Sequence, residues 1–426
     1  MRREILLLNM IVILVLCLNA YAENGVTEKE ILFGQSASFK GTSAALGSEL
    51  WRGSEAYFRH INSRGGVHGR KIVIKALDDG YEGRETLKNT IQLTLKEKVF
   101  GLFGYVGTPT IVDALPAIQK FSEQDMFLFS NLTGAQPQRE MPHVPNVFNV
   151  RSSYRQETSK IVNLFLDNGI KKVGIFIQED AYGRSGADGV QRALQAKGLT
   201  IAGESTYIRG AKYSQSMAEQ VKILKRKGVE AVVSVGSYAA CAAFIRDSRK
   251  MGFDVPIANI SFVGSNAVLQ RLESEERKTK KPGFYTKRML NSQVVPPWSD
   301  VTVPVVMEYR QLMDRYRPQV PSQLLDPNYN PSEYSFISLE GFINAKLLVE
   351  ILKRAPKNLT RKNFKKTAHK IKNLDIGLAG VKVGFSEDDH QAMDSVFLTT
   401  VENGQYVPLV SWSQLMNSSQ KVGINK

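Results

Sequence analysis

Cysteine is nearly absent from this 426-residue chain, which has only Cys17 and Cys241. Cys17 lies in an apolar amino-terminal run, so once that run is removed Cys241 has no partner, no internal disulfide can form, and the fold must be held by a packed core. Histidine is scarce as well. The five, at 60, 68, 143, 369 and 390, show no paired spacing for a metal ion. There is no GxSxG, no Walker A sequence and no GxGxxG after a strand, so neither a catalytic set nor a cofactor is expected. Beyond the amino terminus no apolar run is long enough to cross a bilayer.

What the amino terminus does carry is Arg2 and Arg3, an apolar stretch from Ile5 to Leu18, and small residues at Ala20 and Ala22. This order predicts a secretory signal peptide over residues 1–22, cleaved after Ala22, and a periplasmic location. The stretch falls short of the ~20 residues a span needs and is broken by Asn9. A lipoprotein reading through Cys17 puts bulky Leu16 where a small residue should stand. Loss of Arg2, Arg3 and Glu4 lowers the net charge from +15 by one. The chain stays strongly basic, but its cations are spread over amphipathic helical runs. The clusters Arg277–Arg288 and Lys353–Lys372 read as solvated faces, and nucleic acid is not an expected partner. A milder use of the charge is attraction to anionic lipid head groups, an acidic transporter surface or an anionic ligand.

Strand and helix patterns alternate with little interruption, which predicts an α/β architecture of doubly wound parallel sheets. Expected strands at Ile31–Gln35, Lys71–Leu77, Val99–Phe103 and Met126–Ser130 are separated by helices over Gly47–Ser63, Arg84–Lys98 and Thr110–Gln124. After Val147-Phe148-Asn149 the series restarts. Helix Gln156–Asn168, strand Lys172–Ile177, helix Arg184–Lys197, strand Thr200–Glu204, helix Ser214–Lys227, strand Ala231–Val235 and helix Ala239–Met251 follow. A length of about 400 residues exceeds what one core supports, so two lobes are expected. The stretch Asn291–Pro297 cannot be a helix interior, because its Pro296-Pro297 pair removes two amide donors, and it reads as a crossing back to lobe one. Helices Val303–Tyr316 and Ser332–Lys353 are expected to return to lobe one, then strands Gly380–Phe385 and Val396–Val401 to cross again, with Asn403-Gly404 as a hairpin turn.

The segment from Ile61 to Gly83, INSRGGVHGRKIVIKALDDGYEG, joins a helix end, a glycine turn, a strand and an acidic strand exit. The order and spacing of INxxGGxxGRK, strand and DD resemble the type I periplasmic solute-binding proteins of ABC transporters, in particular the leucine/isoleucine/valine-binding family, over about Glu30 to Leu409. The resemblance implies two lobes joined by a three-crossing hinge. Residues 23–148 plus 298–375 would form lobe one, 149–297 plus 376–415 lobe two, and 416–426 a carboxy-terminal tail. It also implies a disulfide position that Tyr81 and Val106 occupy here, so that corner must hold by packing.

Loops at the carboxyl ends of strands are where open α/β sheets bind ligands. Candidates are Ser38 and Leu46 after the first strand, Thr108, and Thr133-Gly134. Their hydroxyls and free amides suit an anionic head group, and the resemblance implies that Thr108 and Thr133-Gly134 hold a ligand carboxylate. Across the gap, Tyr182 and Tyr238 match aromatic ligand contacts of the family. Ser261 stands where the family's amino-acid binders place an acid for the ligand ammonium. Unless Asp180 or Glu179 substitutes, a zwitterionic amino acid would leave its ammonium poorly paired. A carboxylate without an amine, an amide or an aromatic acid fits as well, with Arg139 or Arg151 as further anion partners. Adjacent Asp78 and Asp79 point to opposite sides of an extended chain and read as loop and helix anchors. The expected function is capture of a small polar or carboxylate-bearing solute (an amino acid, amide or organic acid) in an interlobe cleft by a monomer that delivers it to an ABC-type permease. The alternative is a soluble sensing subunit without transport.

Overall fold

The structure, a computed structural model, describes residues 23–418. The expected signal peptide and the last eight residues of the expected tail lie outside the described residues. The first sheet is wholly parallel, in the order β2-β1-β3-β4-β5, from β1 (Glu30–Ala37), β2 (Lys71–Asp78), β3 (Gly101–Phe103), β4 (Leu128–Phe129) and β5 (Val147–Phe148). Helices α1 (Ala44–Asn62), α2 (Gly83–Ile91) and α3 (Thr108–Lys120) make its crossovers. Helix α1 stops where expected: Gly65 and Gly66 sit at φ +96° and +72°, and the Gly66 N–H returns to Ile61 O at 3.0 Å. A Cβ at Gly66 would fall 1.9 Å from Arg70 O, so the turn requires glycine.

The second sheet takes over after α4 (Tyr154–Asp167), with β6 (Val173–Gln178), β7 (Gly203–Tyr207), β8 (Ala231–Val235), β9 (Ile257–Asn259) and β10 (Met289–Gln293) all parallel. Strand β6, VGIFIQ, is buried at every position, as a strand covered on both faces must be. Its covering helices are α5 (Ala181–Gln195), α6 (Ala218–Arg226), α7 (Tyr238–Lys250) and α8 (Ser265–Thr279). Residues 304–316 and 336–354 form α9 and α10, which pack back on α1. Helix α11 (Arg361–Ala368) and the ribbon β11 (Leu374–Leu378)–β12 (Val381–Val383) follow. Then β13 (Phe397–Glu402) and β14 (Gln405–Pro408) add antiparallel to β10, giving the order β14-β13-β10-β9-β8-β6-β7, and α12 (Trp412–Asn417) closes the described chain.

Several expected elements move. The strand expected at Thr200–Glu204 runs Gly203–Tyr207, because its pairing starts at Gly174↔Gly203. Residues 291–293 belong to a buried strand, so the crossing begins only at Val294. The stretch 380–385 does not cross to the second lobe. Ala379 and Gly380, at φ 50° and 92°, turn β12 back onto β11, and this ribbon packs against α9. The return passes instead through 389–396, where Asn149 takes a bond from Ala392 N (2.8 Å) and donates to His390 O (2.7 Å), binding two crossing segments side by side. The Asn403-Gly404 hairpin forms as expected, with φ 48° and 73° between Glu402↔Gln405.

With no disulfide, the first lobe is held by a knot of phenylalanines. Phe364 of α11 stacks on Phe127 at 4.5 Å and meets Phe100, Phe129 and Phe148 at 6.0–6.3 Å. Cys241 is buried and free, 3.1 Å from Ser234 Oγ, and burial pushes its thiol up to about 12, so it stays protonated.

Candidate ligand-binding cleft between the lobes

The two sheets present their carboxyl edges to each other. After β3, Gly107 takes φ +104° and delivers Thr108 to the first position of α3. After β4, Thr133 comes alongside, and the two hydroxyls lie 2.7 Å apart. Thr133 Oγ1 also lies 3.2 Å from Tyr154 Oη, at the start of α4. That start is fixed by a capping box between Ser153 and Gln156. Gly134 explains how the tyrosine comes so close: a Cβ there would sit 2.5 Å from Tyr154 Cδ1, while Gly134 O accepts the Tyr154 N–H at 2.7 Å.

From the second lobe, Asp180 caps α5 through the Tyr182 and Gly183 amides and sets Tyr182 against Tyr154, ring centroids 5.5 Å apart. Phe262 meets Tyr182 edge-on at 4.7 Å and lies 6.3 Å from Tyr81 of the first lobe. Thr108, Thr133, Gly134 and Tyr182 thus converge with Tyr81, Tyr154 and Phe262, on contacts that cross between lobes. Burial pushes the Tyr154 phenol up to about 12 and that of Tyr182 well above its ordinary value, so both remain neutral hydrogen-bond donors.

Beside this cluster lies a buried charge network. Glu157 of α4 accepts from Ser261 N (2.8 Å), Ser261 Oγ (2.9 Å), Ser292 Oγ (2.6 Å) and Arg151 Nη2 (3.3 Å). Arg151 Nη2 also contacts Ser261 Oγ. Arg151 Nη1 faces Glu340 of α10 at 3.6 Å, and Arg151 lies 5.9 Å from the Tyr154 ring. Burial opposes the Arg151 charge, but Glu340 and Glu157 outweigh it and hold its pKa above the ordinary value. Burial, reinforced by Glu157 and opposed by Arg151, pushes Glu340 up to about 7. Arg151 Nε and Nη1 and Glu340 Oε1 have no hydrogen-bond partner among the described residues. Asp180 is occupied by its cap and by Gln178 Nε2 at 2.6 Å, while Glu179 is exposed. Arg139 donates to Gln391, to Thr133 O and to Arg151 O, bracing the hinge.

Leu46 and Tyr238 come together at the mouth rather than in the cluster. A Cβ at Gly264 would lie 3.3 Å from Leu46 Cδ2 and 3.5 Å from Tyr238, and Arg271 sits 4.4 Å over the Tyr238 ring. Tyr238 borders a cavity of about 420 Å³ lined from one lobe by Thr42, Asp326 and Tyr329 and from the other also by Lys212 and Tyr213. Ser38 stands apart, closing the loop after β1 by donating to Lys40 O and accepting from Gly47 N. Asp78 and Asp79 act as anchors: Asp78 takes the Phe39 and Lys40 amides, Asp79 the Tyr81 amide and the Ser36 and Thr86 hydroxyls.

Tyr81, Tyr154 and Phe262 are not among the site residues expected from the sequence. Tyr81 follows the DD exit and Phe262 follows the strand-end Ile260-Ser261, so both sit where the strand-end rule looks. Tyr154 lies at a helix start after a lobe crossing, and no local signal marks it.

A pair of doubly wound lobes meeting over a lined interlobe cleft defines a two-lobed solute-binding protein. The chain belongs to the family described as Periplasmic binding protein, whose profile matches residues 30–405. Leu/Ile/Val-binding protein homolog 3 of Brucella melitensis biotype 1 is 28% identical over 50% of this chain and 55% of its own length, so the chain spans about half of that relative. Homolog 7 of Brucella abortus is 21% identical over 85% of this chain and 86% of the relative. Among solved structures, a possible leucine/isoleucine/valine-binding protein from Rhodopirellula baltica SH 1 superposes with a TM-score of 0.79 at 28% identity, covering 93% of this chain and all of that one. A branched-chain amino acid ABC transporter structure from Thermus thermophilus with bound valine shares the fold, with a TM-score of 0.77 at 15% identity over 91% of this chain and 97% of that one. The Brucella relatives are Leu/Ile/Val-binding protein homologues, and the family description points to a periplasmic location.

Proposed function

We propose that this protein captures a small carboxylate-bearing or polar solute between its lobes in the periplasm and delivers it to an ABC-type membrane permease, after export by a signal peptide over residues 1–22. The observation that carries this reading is the convergence of Thr108 and Thr133 with Tyr182 and Phe262, hydroxyls from one lobe and rings from the other. Hydroxyls and helix-start amides suit a carboxylate, and the rings cover an apolar or aromatic body. The saturation of Glu157 argues for ligand class: its oxygens already serve Arg151, Ser261 and Ser292, so a ligand ammonium finds no free acid there. A carboxylate lacking an amine, an amide or an aromatic acid is therefore preferred over leucine and its relatives.

The mechanism is closure about the three crossings, with solute meeting one lobe first and both lobes burying it. Binding shifts the closing equilibrium only through contacts better made in the closed form, so lobe-two rings should govern closure. A thermal-shift screen of amino acids, amides, and aliphatic and aromatic carboxylates tests the class, because a solute selective for the folded form raises the melting point by mass action. Stabilisation by branched-chain amino acids and by no amine-free acid would reverse the assignment. With the solute identified, Tyr238→Ala should weaken affinity at least about tenfold without loss of fold; unchanged affinity would remove Tyr238 from the site.

A further inference from the structure

Between residues 353 and 372 the chain has nine lysines and arginines and no aspartate or glutamate. Two serve the fold. Arg361 is buried and donates to the carbonyls of Phe100, Gln124 and Val99, and Lys365 reaches Asn146 at 3.0 Å and Asp125 at 3.8 Å. Lys353 and Arg354 share Glu350. Lys357, Lys362, Lys366, Lys370 and Lys372 are exposed and form no ion pair among the described residues. The nearby Asp375 is taken by Lys382 at 2.6 Å.

Three of these free cations are gathered rather than scattered. Lys366 and Lys370 on α11 and Lys372 just beyond it line, with Arg354, a recess of about 350 Å³ that also holds Asn363 and Thr367 and no carboxylate. It lies between the end of α10, α11 and the start of β11, away from the interlobe cluster. Like charges held this close repel one another and gain only when an anion enters.

We propose that this basic face binds the phosphates of anionic phospholipids and seats the protein on a negatively charged membrane surface. The shape of the face favours lipid over a free phosphate ion. The lysines of the recess remain in water, so a single small anion would exchange one hydration shell for another and gain little. A lattice of headgroups engages the recess and the flanking Lys357 and Lys362 at once, each cation adding a few-fold to the partition. Seating the carrier on the membrane would confine its search for a membrane partner to a surface.

The test is co-sedimentation of the whole protein with vesicles of phosphatidylglycerol and phosphatidylcholine, compared with phosphatidylcholine alone. Retention on the anionic vesicles should fade as salt rises. It should drop at least about tenfold in the triple variant Lys366→Gln, Lys370→Gln, Lys372→Gln, whose melting point should match that of the parent. A control, Lys278→Gln, Lys280→Gln, Lys281→Gln, removes equal charge at the end of α8 and should retain binding. Equal loss in both variants would reduce the effect to net charge and overturn the proposal, as would retention indifferent to phosphatidylglycerol. Binding of inorganic tripolyphosphate that the recess variant abolishes, without vesicle retention, would make the occupant a free phosphate and overturn the lipid assignment.

Discussion

Glu340 is the weak acid of the hinge network, and its position there has a measurable consequence. Its carboxyl is pushed up to about 7 from an ordinary 4.5, by burial first and Glu157 next. A carboxyl whose folded pKa lies above its unfolded value contributes stability that is full below about 4.5 and is lost as pH rises through about 7. Glu340→Gln mimics the neutral form, so the variant should lose less stability across that window than the parent, read as urea midpoints against pH. Asp79, also pushed up to about 7 by burial, retains its share of the slope. Identical slopes in parent and variant would show that Glu340 does not titrate there. His390 runs oppositely: burial first, then His369 with its Nε2 at 2.8 Å, lowers it to about 4, so its contribution is present above 6.5 and lost as pH falls through about 4. Ser261 was legible as a lost acid, whereas the carboxylate beside it, Glu157, comes from a helix 104 residues away in sequence.

Helices α1 and α10 approach so closely that their glycines are structural. A Cβ on Gly53 would lie 1.7 Å from Ser338 O, and one on Gly341 2.1 Å from Leu50 O. Gly53→Ala should therefore cost about 1–3 kcal/mol through forced separation of the helices, seen as a lower urea midpoint. A neutral outcome would mean that the pair slides freely. Phe364 acts in the opposite sense: truncation to alanine empties the centre of the phenylalanine knot and should cost roughly 3–5 kcal/mol. Both helices containing these glycines were legible from apolar periodicity. The crossing of α1 and α10 was not, since their residues 53 and 338 are remote in the chain and a glycine inside a helical pattern has no mark of what it faces. Helix α11 was hidden differently: its dense lysines read as a solvated run, and the single Phe364 that anchors it gives no period.

At the scale of the molecule, contacts at the cleft rim oppose opening. Arg209 of the second lobe pairs with Glu82 of the first at 2.7 Å, Gln270 reaches Ser332 at 3.1 Å, and Asn266 takes the Phe336 N–H at 3.3 Å. The Arg209–Glu82 pair is partly exposed, so its contribution is about 0–1 kcal/mol. Arg209→Ala should thus shift unliganded protein modestly toward a larger radius of gyration in solution scattering. Its affinity cost should be at most about fivefold, less than that of Tyr238→Ala. A larger loss for Arg209 would mean that the rim, and not the rings, holds the lobes together.

By itself the sequence determined two series of alternating strands and helices, the glycine stop of α1, the anchoring by Asp78 and Asp79, the Asn403-Gly404 hairpin and the strand-end loops where a solute would bind. Each follows from forces acting within a few residues: side-chain period, positive φ, capping and missing amide donors. Only the tertiary structure decided that 380–385 folds back on its own ribbon, that Tyr81, Tyr154 and Phe262 join the threonines, and that Arg151 is shared between Glu157 and Glu340. Those outcomes depend on which distant surfaces meet when two sheets face each other across a hinge. The free energy of such meetings is set by burial and charge pairing between segments that the chain itself keeps far apart.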